Sequence, residues 1–265
     1  MATPHVLMFG ANGGTGRAIT KVMLEKSWRV TAVIRQPAQK EGILRLGAHG
    51  KLQPEVLVQD LQHLNQQDAD RIIEEVRPNY IVFAAGSMSN PNAVDRDAAK
   101  RVINSATASP TVTKFLVISF PASRRNRAPW WDDKDFQSYQ QEKNSYPQIA
   151  NAKLEADEHL VAMAKKREKS GGAPFHYISL RPSWLTNGPK GKVTIGHTRS
   201  LGQVPRASVA EVAVTLLQRE VSGWFDLLDG NTEIGKAVDD VIRNGATSLD
   251  GEDVDRIYKL ADKAT

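Results

Sequence analysis

Cysteine is absent from this chain of 265 residues, which excludes disulfide scaffolds, Cys-ligated zinc and thiol nucleophiles. No apolar run approaches the ~18 residues that a membrane-spanning helix needs. Met1-Ala2-Thr3-Pro4-His5 has neither the basic nor the apolar stretch of a signal peptide. Asn-x-Ser/Thr sequons are missing, and Lys263-Ala264-Thr265 carries no lipidation or peroxisomal signal. A cytoplasmic protein that uses no membrane is the expectation. Internal repeats and low-complexity linkers are also lacking, so one domain over residues 1–265 is expected, ending in a helical tail from about residue 232. The six histidines are scattered, at His5, His49, His63, His159, His176 and His197, with no pair at ligand spacing. No metal site is expected from them.

What is present is an ordinary globular composition, 40% apolar and 25% charged. Thirty-five basic residues against 30 acidic ones give a net charge of +5. That balance suits an acidic ligand without singling out nucleic acid, and no nucleic-acid partner is expected. Of two basic clusters, Lys165-Lys166-Arg167-Lys169 closes a helical pattern before Gly171-Gly172, where cations complement the helix dipole. The other, Arg124-Arg125-Arg127, falls in a segment with no clear periodicity.

Short apolar runs alternate with amphipathic stretches. The runs are His5 to Phe9, Arg29 to Ile34, Glu55 to Val58, Tyr80 to Ala84, Lys114 to Ser119, His176 to Leu180 and Trp224 to Leu228. Strands buried on both faces read this way, because a parallel sheet is covered by helices on each side. Helices are expected over Arg17 to Lys26, Asp68 to Val76, Val94 to Ala106, Ile149 to Arg167 and Ala207 to Glu220.

Between the first strand and the first helix stands Gly10-Ala11-Asn12-Gly13-Gly14-Thr15-Gly16. Gly10 permits a tight exit from the strand, Gly13 lets a pyrophosphate approach the backbone, and Gly16 lets helix and strand pack closely. The free N–H groups at the helix start then face the anion. A Gly-Lys-Ser/Thr ending is lacking, which excludes a Walker loop. No acid stands at the end of the second strand, where one would read the free ribose hydroxyls; the strand ends Val33-Ile34-Arg35. A forked guanidinium there suits a 2′-phosphate, so NADP(H) is the expected cofactor, with Arg17 as a second phosphate partner.

These glycines, together with Ala84-Ala85-Gly86, Leu180-Arg181-Pro182-Ser183 and Pro205-Arg206-Ala207-Ser208-Val209-Ala210, give the chain its likeness to a known group. It resembles the atypical short-chain dehydrogenases, and most of all their NAD(P)-binding, NmrA-like branch, which includes flavin and biliverdin reductases. The resemblance runs over roughly residues 5 to 230 and implies a doubly wound Rossmann-type α/β fold with substrate loops at the strand C-termini. It further implies that Asp60 and Leu61 flank the adenine and that Ala84, Ala85 and Gly86 line the nicotinamide-ribose side. Leu180 to Leu185, with Pro182 and Ser183, would border the nicotinamide and the substrate.

The wider superfamily passes a proton through a Ser-Tyr-Lys relay, with Tyr four residues before Lys on one helix. Lys153 matches the Lys, but Ile149 stands four residues earlier and has no proton to give. Tyr146 lies seven residues before Lys153, about 10 Å along a helix axis, too far for the direct pair. Ser119 and Ser123 are the serine candidates. Lys153 is then expected as an anchor for the ribose and nicotinamide.

The segment Ser123 to Asn144 holds the Arg124 to Arg127 cluster and Pro129-Trp130-Trp131. A long connection with two adjacent tryptophans reads as a substrate lid, a partner surface or plain packing. As a lid, it would place Trp130, Trp131 and the later Trp184 at a small-molecule substrate and aim the arginines at an anion. The expected activity is an NADP(H)-dependent oxidoreductase moving hydride without the usual relay. The competing readings are a non-catalytic NADP(H) sensor that regulates a protein partner, and a nucleotide-dependent epimerase or isomerase, which the missing Tyr disfavours. A homodimer is a further partner expectation.

Overall fold

A computed structural model describes residues 3–47 and 52–263; His49 and the two chain ends lie outside the described residues. Eight strands form the main sheet: β1 (His5–Phe9), β2 (Arg29–Ile34), β3 (Glu55–Val58), β4 (Tyr80–Phe83), β5 (Lys114–Ile118), β6 (His176–Pro182), β8 (Val193–Gly196) and β10 (Gly223–Asp229). Their order is β3-β2-β1-β4-β5-β6-β10-β8, all parallel except the β10–β8 pair at one edge. A small parallel pair, β7 (Trp184–Thr186) with β9 (Gln203–Pro205), stands beyond the end of β6.

The helices are α1 (Gly14–Glu25), α2 (Lys40–Leu44), α3 (Gln66–Val76), α4 (Ala99–Ala108), α5 (Asp133–Ser145), α6 (Pro147–Lys169), α7 (Arg206–Leu217), α8 (Ile234–Arg243) and α9 (Val254–Tyr258). A π-helical segment, Asn92–Ala98, leads into α4. Among the described residues no helix is long and apolar enough to cross a membrane.

Alternation along β1 explains why the sheet is covered twice. Val6 and Met8 point into a core shared with Ile19 and Met23 of α1, Val209 and Val212 of α7, and Val238 of α8. Leu7 and Phe9 point the other way, against Ile72 and Ile73 of α3, Val102 and Ile103 of α4, and Leu160 of α6. All four β1 side chains are fully buried, each contributing on the order of 1.5–3 kcal/mol. This is the doubly wound Rossmann-type arrangement, and its strand order reverses between β1 and β4. Open α/β sheets bind ligands at that reversal, outside the carboxyl ends of the strands.

The expected strands and long helices recur within a few residues of their expected bounds. Three short strands, β7, β8 and β9, and two helices, α2 and α5, were not expected. Helix α5 lies inside the segment read from the sequence as aperiodic. Asp132 caps its start by accepting from Asp135 N–H, and Tyr139 is its one buried residue. A helix so polar carries no apolar stripe for a periodicity argument to detect.

Candidate functional site

Strand β1 exits through Gly10, whose φ of +76° and whose closeness to the backbone of Ala85 both require glycine; a Cβ would sit 2.4 Å from Ala85 N. Gly16 is required for a different reason, since a Cβ there would lie 2.2 Å from Gly10 O. At Gly13 a Cβ would meet only Gly10 O, at 3.4 Å. Nothing in the fold itself demands glycine at this position, so the open space above it is left for something that enters from outside.

That space belongs to a cleft of about 330 Å³ at the β1/β4 reversal. Gly10, Asn12, Gly13, Arg35, Asp60, Leu61, Ala84, Ala85 and Gly86 all line it, together with Gln39, Gln59, Gln62 and Ser87. Nine cofactor residues named from the sequence therefore share one cavity. Gly14, Thr15 and Gly16 form the first turn of α1 directly below it. Arg35 is exposed; its backbone N–H is held by Gln39 Oε1 at 3.0 Å, and no hydrogen bond or ion pair engages its guanidinium among the described residues. Arg17 instead leans along α1, donating to Asn12 Oδ1 at 3.1 Å and Gly42 O at 3.0 Å.

On the other side of the cleft Lys153 donates to Ile118 O at 3.0 Å and pairs with Asp95 at 2.9 Å. Asp95, carried inward by the π-helical segment, also accepts from Ser87 N–H at 2.8 Å. Lys153 is thereby tied through Asp95 to the Gly86–Ser87 wall. Sequence reasoning missed Asp95, because an aspartate in a helical pattern carries no mark of pointing inward. Ile149 occupies the position four residues before Lys153, as the sequence requires.

Ser119 does not face the cleft as a free hydroxyl. It is buried and donates to Asp157 Oδ2 at 2.5 Å. Asp157 also accepts from Ser179 at 2.9 Å and pairs with Arg181 at 2.8 Å. Burial pushes its carboxyl up to about 6, against the pull of Arg181, Ser119 and Ser179. Pro182 is buried, and Ser183 Oγ accepts from Gly202 N–H at 3.1 Å, joining the small β7–β9 pair to the main sheet.

Tyr146 sits at the junction of α5 and α6, edge-on to the half-exposed Trp184 with ring centroids 5.6 Å apart. Glu142, one turn earlier, adds a carboxylate with a buried, unpartnered Oε2. Burial pushes this carboxyl up, and the neighbouring Trp184 side chain pulls the other way. Tyr146, Trp184 and Glu142 thus form one cluster, of which sequence reasoning named two members.

The segment expected as a lid is tied down by the rest of the chain. Trp131 is buried, and both indole N–H groups donate to the same carbonyl, Thr198 O, at 2.8 Å from Trp130 and 2.9 Å from Trp131. Trp130 stacks on His197 with centroids 3.9 Å apart, and neither indole lines the cleft. The three arginines are equally committed. Arg124 is fully buried, donating to Asn126 O, Ser248 O and Asp250 O and pairing with Glu252. Arg125 holds Glu158 with two bonds, and Arg127 binds Trp131 O and Asp133. Internal partners therefore engage both indoles and all three arginines of this segment.

A strand, a glycine turn and a helix start set at the reversal of a doubly wound sheet define a dinucleotide-binding protein. Residues 10–220 match the model of the NAD(P)H-binding family, and the chain belongs to that family. It is similar over 253 residues, at 24% identity, to UPF0659 protein C216.03 of Schizosaccharomyces pombe, covering 91% of this chain and 96% of that one. In fold it is similar to the oxidoreductase ylbE from Lactococcus lactis, with a TM-score of 0.70, 16% identity and coverage of 90% and 97% of the two chains. The anaerobillin reductase ChuY from Escherichia coli O157:H7 gives a TM-score of 0.64 at 20% identity, over 87% of this chain and 99% of that one. Yeast methylglyoxal/isovaleraldehyde reductase Gre2, complexed with NADPH, gives 0.60 at 13% identity, over 81% and 74%. The likeness to atypical short-chain dehydrogenases stated from the motifs holds at the level of family and fold.

Proposed function

We propose that the chain is an NADP(H)-dependent oxidoreductase that moves hydride to or from a small organic substrate without a Ser-Tyr-Lys relay. The observation that carries the cofactor choice is Arg35, exposed at the cleft rim after β2 with its guanidinium unengaged. A 2′-phosphate satisfies that group with charge-assisted, forked bonds. The open backbone at Gly13 and the uncapped start of α1 fit a diphosphate. When bound, the nicotinamide supplies the hydride.

The chain's own residues hold and orient. Asp60, with its side chain accepting from Gln62 N–H at 3.0 Å, shapes the adenine side of the cleft. Asp95 and Lys153 fix the Gly86–Ser87 wall that faces the nicotinamide end. Tyr146 and Trp184 offer an aromatic surface to the substrate. Ile149 leaves the proton to be taken from water, which suits an acceptor with an extended conjugated system that spreads the charge left by hydride addition. A cytoplasmic setting belongs to the same reading.

A second reading, an NADP(H) sensor acting on a protein partner, is favoured by one observation: both remaining relay positions are occupied internally, Lys153 by Asp95 and Ser119 by Asp157. Fluorescence titration and a turnover panel of quinones, flavins and small carbonyl compounds separate the two. Arg35→Asp should weaken NADPH binding about 10- to 100-fold and leave NADH within about two- to threefold. Equal losses for both cofactors would remove the NADP(H) assignment, and tight NADPH binding with no turnover of any panel member would favour the sensor.

A further inference from the structure

Arg206 opens α7, directly after β9, and belongs to the half of the fold opposite the glycine turn. Its guanidinium nevertheless rests on the backbone of Gly14, the first residue of α1. A Cβ on Gly14 would lie 2.9 Å from Arg206 Nε and 3.0 Å from its Cδ. Gly14 does not have the positive φ that favours glycine, so what a side chain there would meet is the arginine, which would have to move aside.

The electrostatics of this contact are unfavourable as they stand. Helix N-termini carry partial positive charge, and cations placed against them are repelled. Here a guanidinium touches the start of α1 and itself begins α7, and neither helix has an acidic residue in its first turn or a side-chain cap. The contrast lies within the same chain: α3 is capped by Asn65 with Asp68 in its first turn, and α5 by Asp132 with Asp133 and Asp135. Those helices supply their own acceptors and anions. At the α1–α7 junction the chain supplies none.

Arg206 is also without a carboxylate partner among the described residues. Its hydrogen bonds all run from Nη1, to Asn187 Oδ1 at 2.8 Å and Leu185 O at 3.4 Å. Among the described residues Nε and Nη2 make no hydrogen bond. The side chain is thus anchored at one nitrogen and presents the other two beside the free N–H groups of the α1 start.

We propose that Arg206 is a diphosphate-binding residue of this cleft, closing over the bridging phosphates of the dinucleotide from the α7 side while the α1 N–H groups hold them from below. The inference rests on the dinucleotide reading above and adds to it a cation that the glycine turn does not contain. An anion between the two helix starts removes the repulsion and satisfies Nε and Nη2 with charge-assisted bonds. Because Nη1 is bonded to the Leu185–Asn187 stretch, diphosphate binding also steadies the β7 segment that carries Trp184.

The test uses the full chain and four probes: NADPH, NADH, ADP and adenosine 2′-monophosphate. Arg206→Met should weaken NADPH, NADH and ADP alike, about 10- to 100-fold, and leave adenosine 2′-monophosphate within about two- to threefold. Arg206→Lys, which keeps the charge and loses the fork, should fall between. A loss at Arg35 sorts the probes differently, since NADPH and adenosine 2′-monophosphate then suffer and ADP does not. In the wild-type chain, where folding is not at issue, ADP should protect Arg206 from phenylglyoxal modification as read by mass spectrometry, and adenosine 2′-monophosphate should not. Wild-type affinity for ADP in Arg206→Met, equal losses for all four probes, or equal modification of Arg206 with and without ADP each overturns the proposal. Failure of the dinucleotide reading looks different: the wild-type chain then binds neither NADPH nor NADH.

Discussion

Two arginines stand near the ends of parallel strands and meet opposite fates. Arg35 follows β2 directly, is exposed, and has a guanidinium with no partner among the described residues. Arg124 comes six residues after the end of β5, is fully buried, and spends its side chain on three carbonyls and Glu252. The same division runs through their surroundings. The cleft wall from Gly10 to Gly86 leaves backbone N–H groups, a guanidinium and an open glycine facing solvent, whereas the segment from Ser119 to Trp131 spends its charged and indole groups on itself, on Asp157 and Glu158 of α6, on Thr198 and on the C-terminal tail. A charged side chain near a strand end is therefore a ligand contact only where the fold withholds acceptors from it. Arg206 lies between the two, with Nη1 bonded to Asn187 and Leu185 and with Nε and Nη2 unbonded among the described residues.

The largest expected effect tests this division directly. Arg124→Met strands the Glu252 carboxylate and the carbonyls of Ser248 and Asp250 in the interior, and should cost about 3–5 kcal/mol in a urea unfolding curve. Arg35→Met should stay within about 0.5 kcal/mol of the parent. Similar unfolding midpoints for the two variants would erase the distinction between them.

A smaller effect concerns the buried charges behind the site. Two guanidiniums, Arg124 and Arg181, face three carboxylates, Asp157, Asp226 and Glu252. Burial pushes both Asp157 and Asp226 up, Asp157 to about 6, against the pull of these guanidiniums. A carboxyl whose folded value lies above its unfolded one stabilises the fold when protonated. Its contribution is complete below about pH 4 and is lost as the pH rises through about 6. The stability of the parent relative to Asp157→Asn should therefore fall by about 2 kcal/mol between pH 4 and pH 7. Urea midpoints of both proteins across that range read it, and a constant difference would mean that Asp157 stays ionised throughout.

How much of this was legible in the sequence follows from the distance over which each signal acts. Strands β1, β2, β4, β5, β6 and β10 announced themselves because burial makes each a nearly continuous apolar run, and the half-exposed edge strand β3 did so through Val56-Leu57-Val58. The glycine turn and Arg35 were legible for a similar reason, since their geometry is set within a few residues of a strand end. Strands β7 and β9, three residues each, are too short to carry a pattern, and β8 interrupts its apolar residues with the exposed Thr194 and ends on Gly196. Asp95, Glu142 and Arg206 take their meaning from partners far away in the chain: Lys153 for the first, Trp184 for the second, Gly14 for the third. The tryptophan pair misled for the complementary reason. Adjacent indoles in an aperiodic stretch look available, and only the distant Thr198 carbonyl shows that they are engaged.

The smallest expected effect lies at that carbonyl. Thr198 O accepts from both Trp130 and Trp131, so Trp130→Phe removes one donor and leaves the acceptor satisfied by the other. The cost should be the net worth of one hydrogen bond, about 0.5–1.5 kcal/mol, softened because a phenyl ring can keep the stack on His197. NADPH affinity should not change, since neither indole borders the cleft. Denaturation curves and cofactor titrations of the single variant measure both quantities. Should Trp130→Phe instead alter KM for a reduced substrate while stability holds, the segment would belong to the ligand-facing side of the molecule. The line drawn between Arg35 and Arg124 would then have to be redrawn to run between Trp130 and its buried neighbour Trp131.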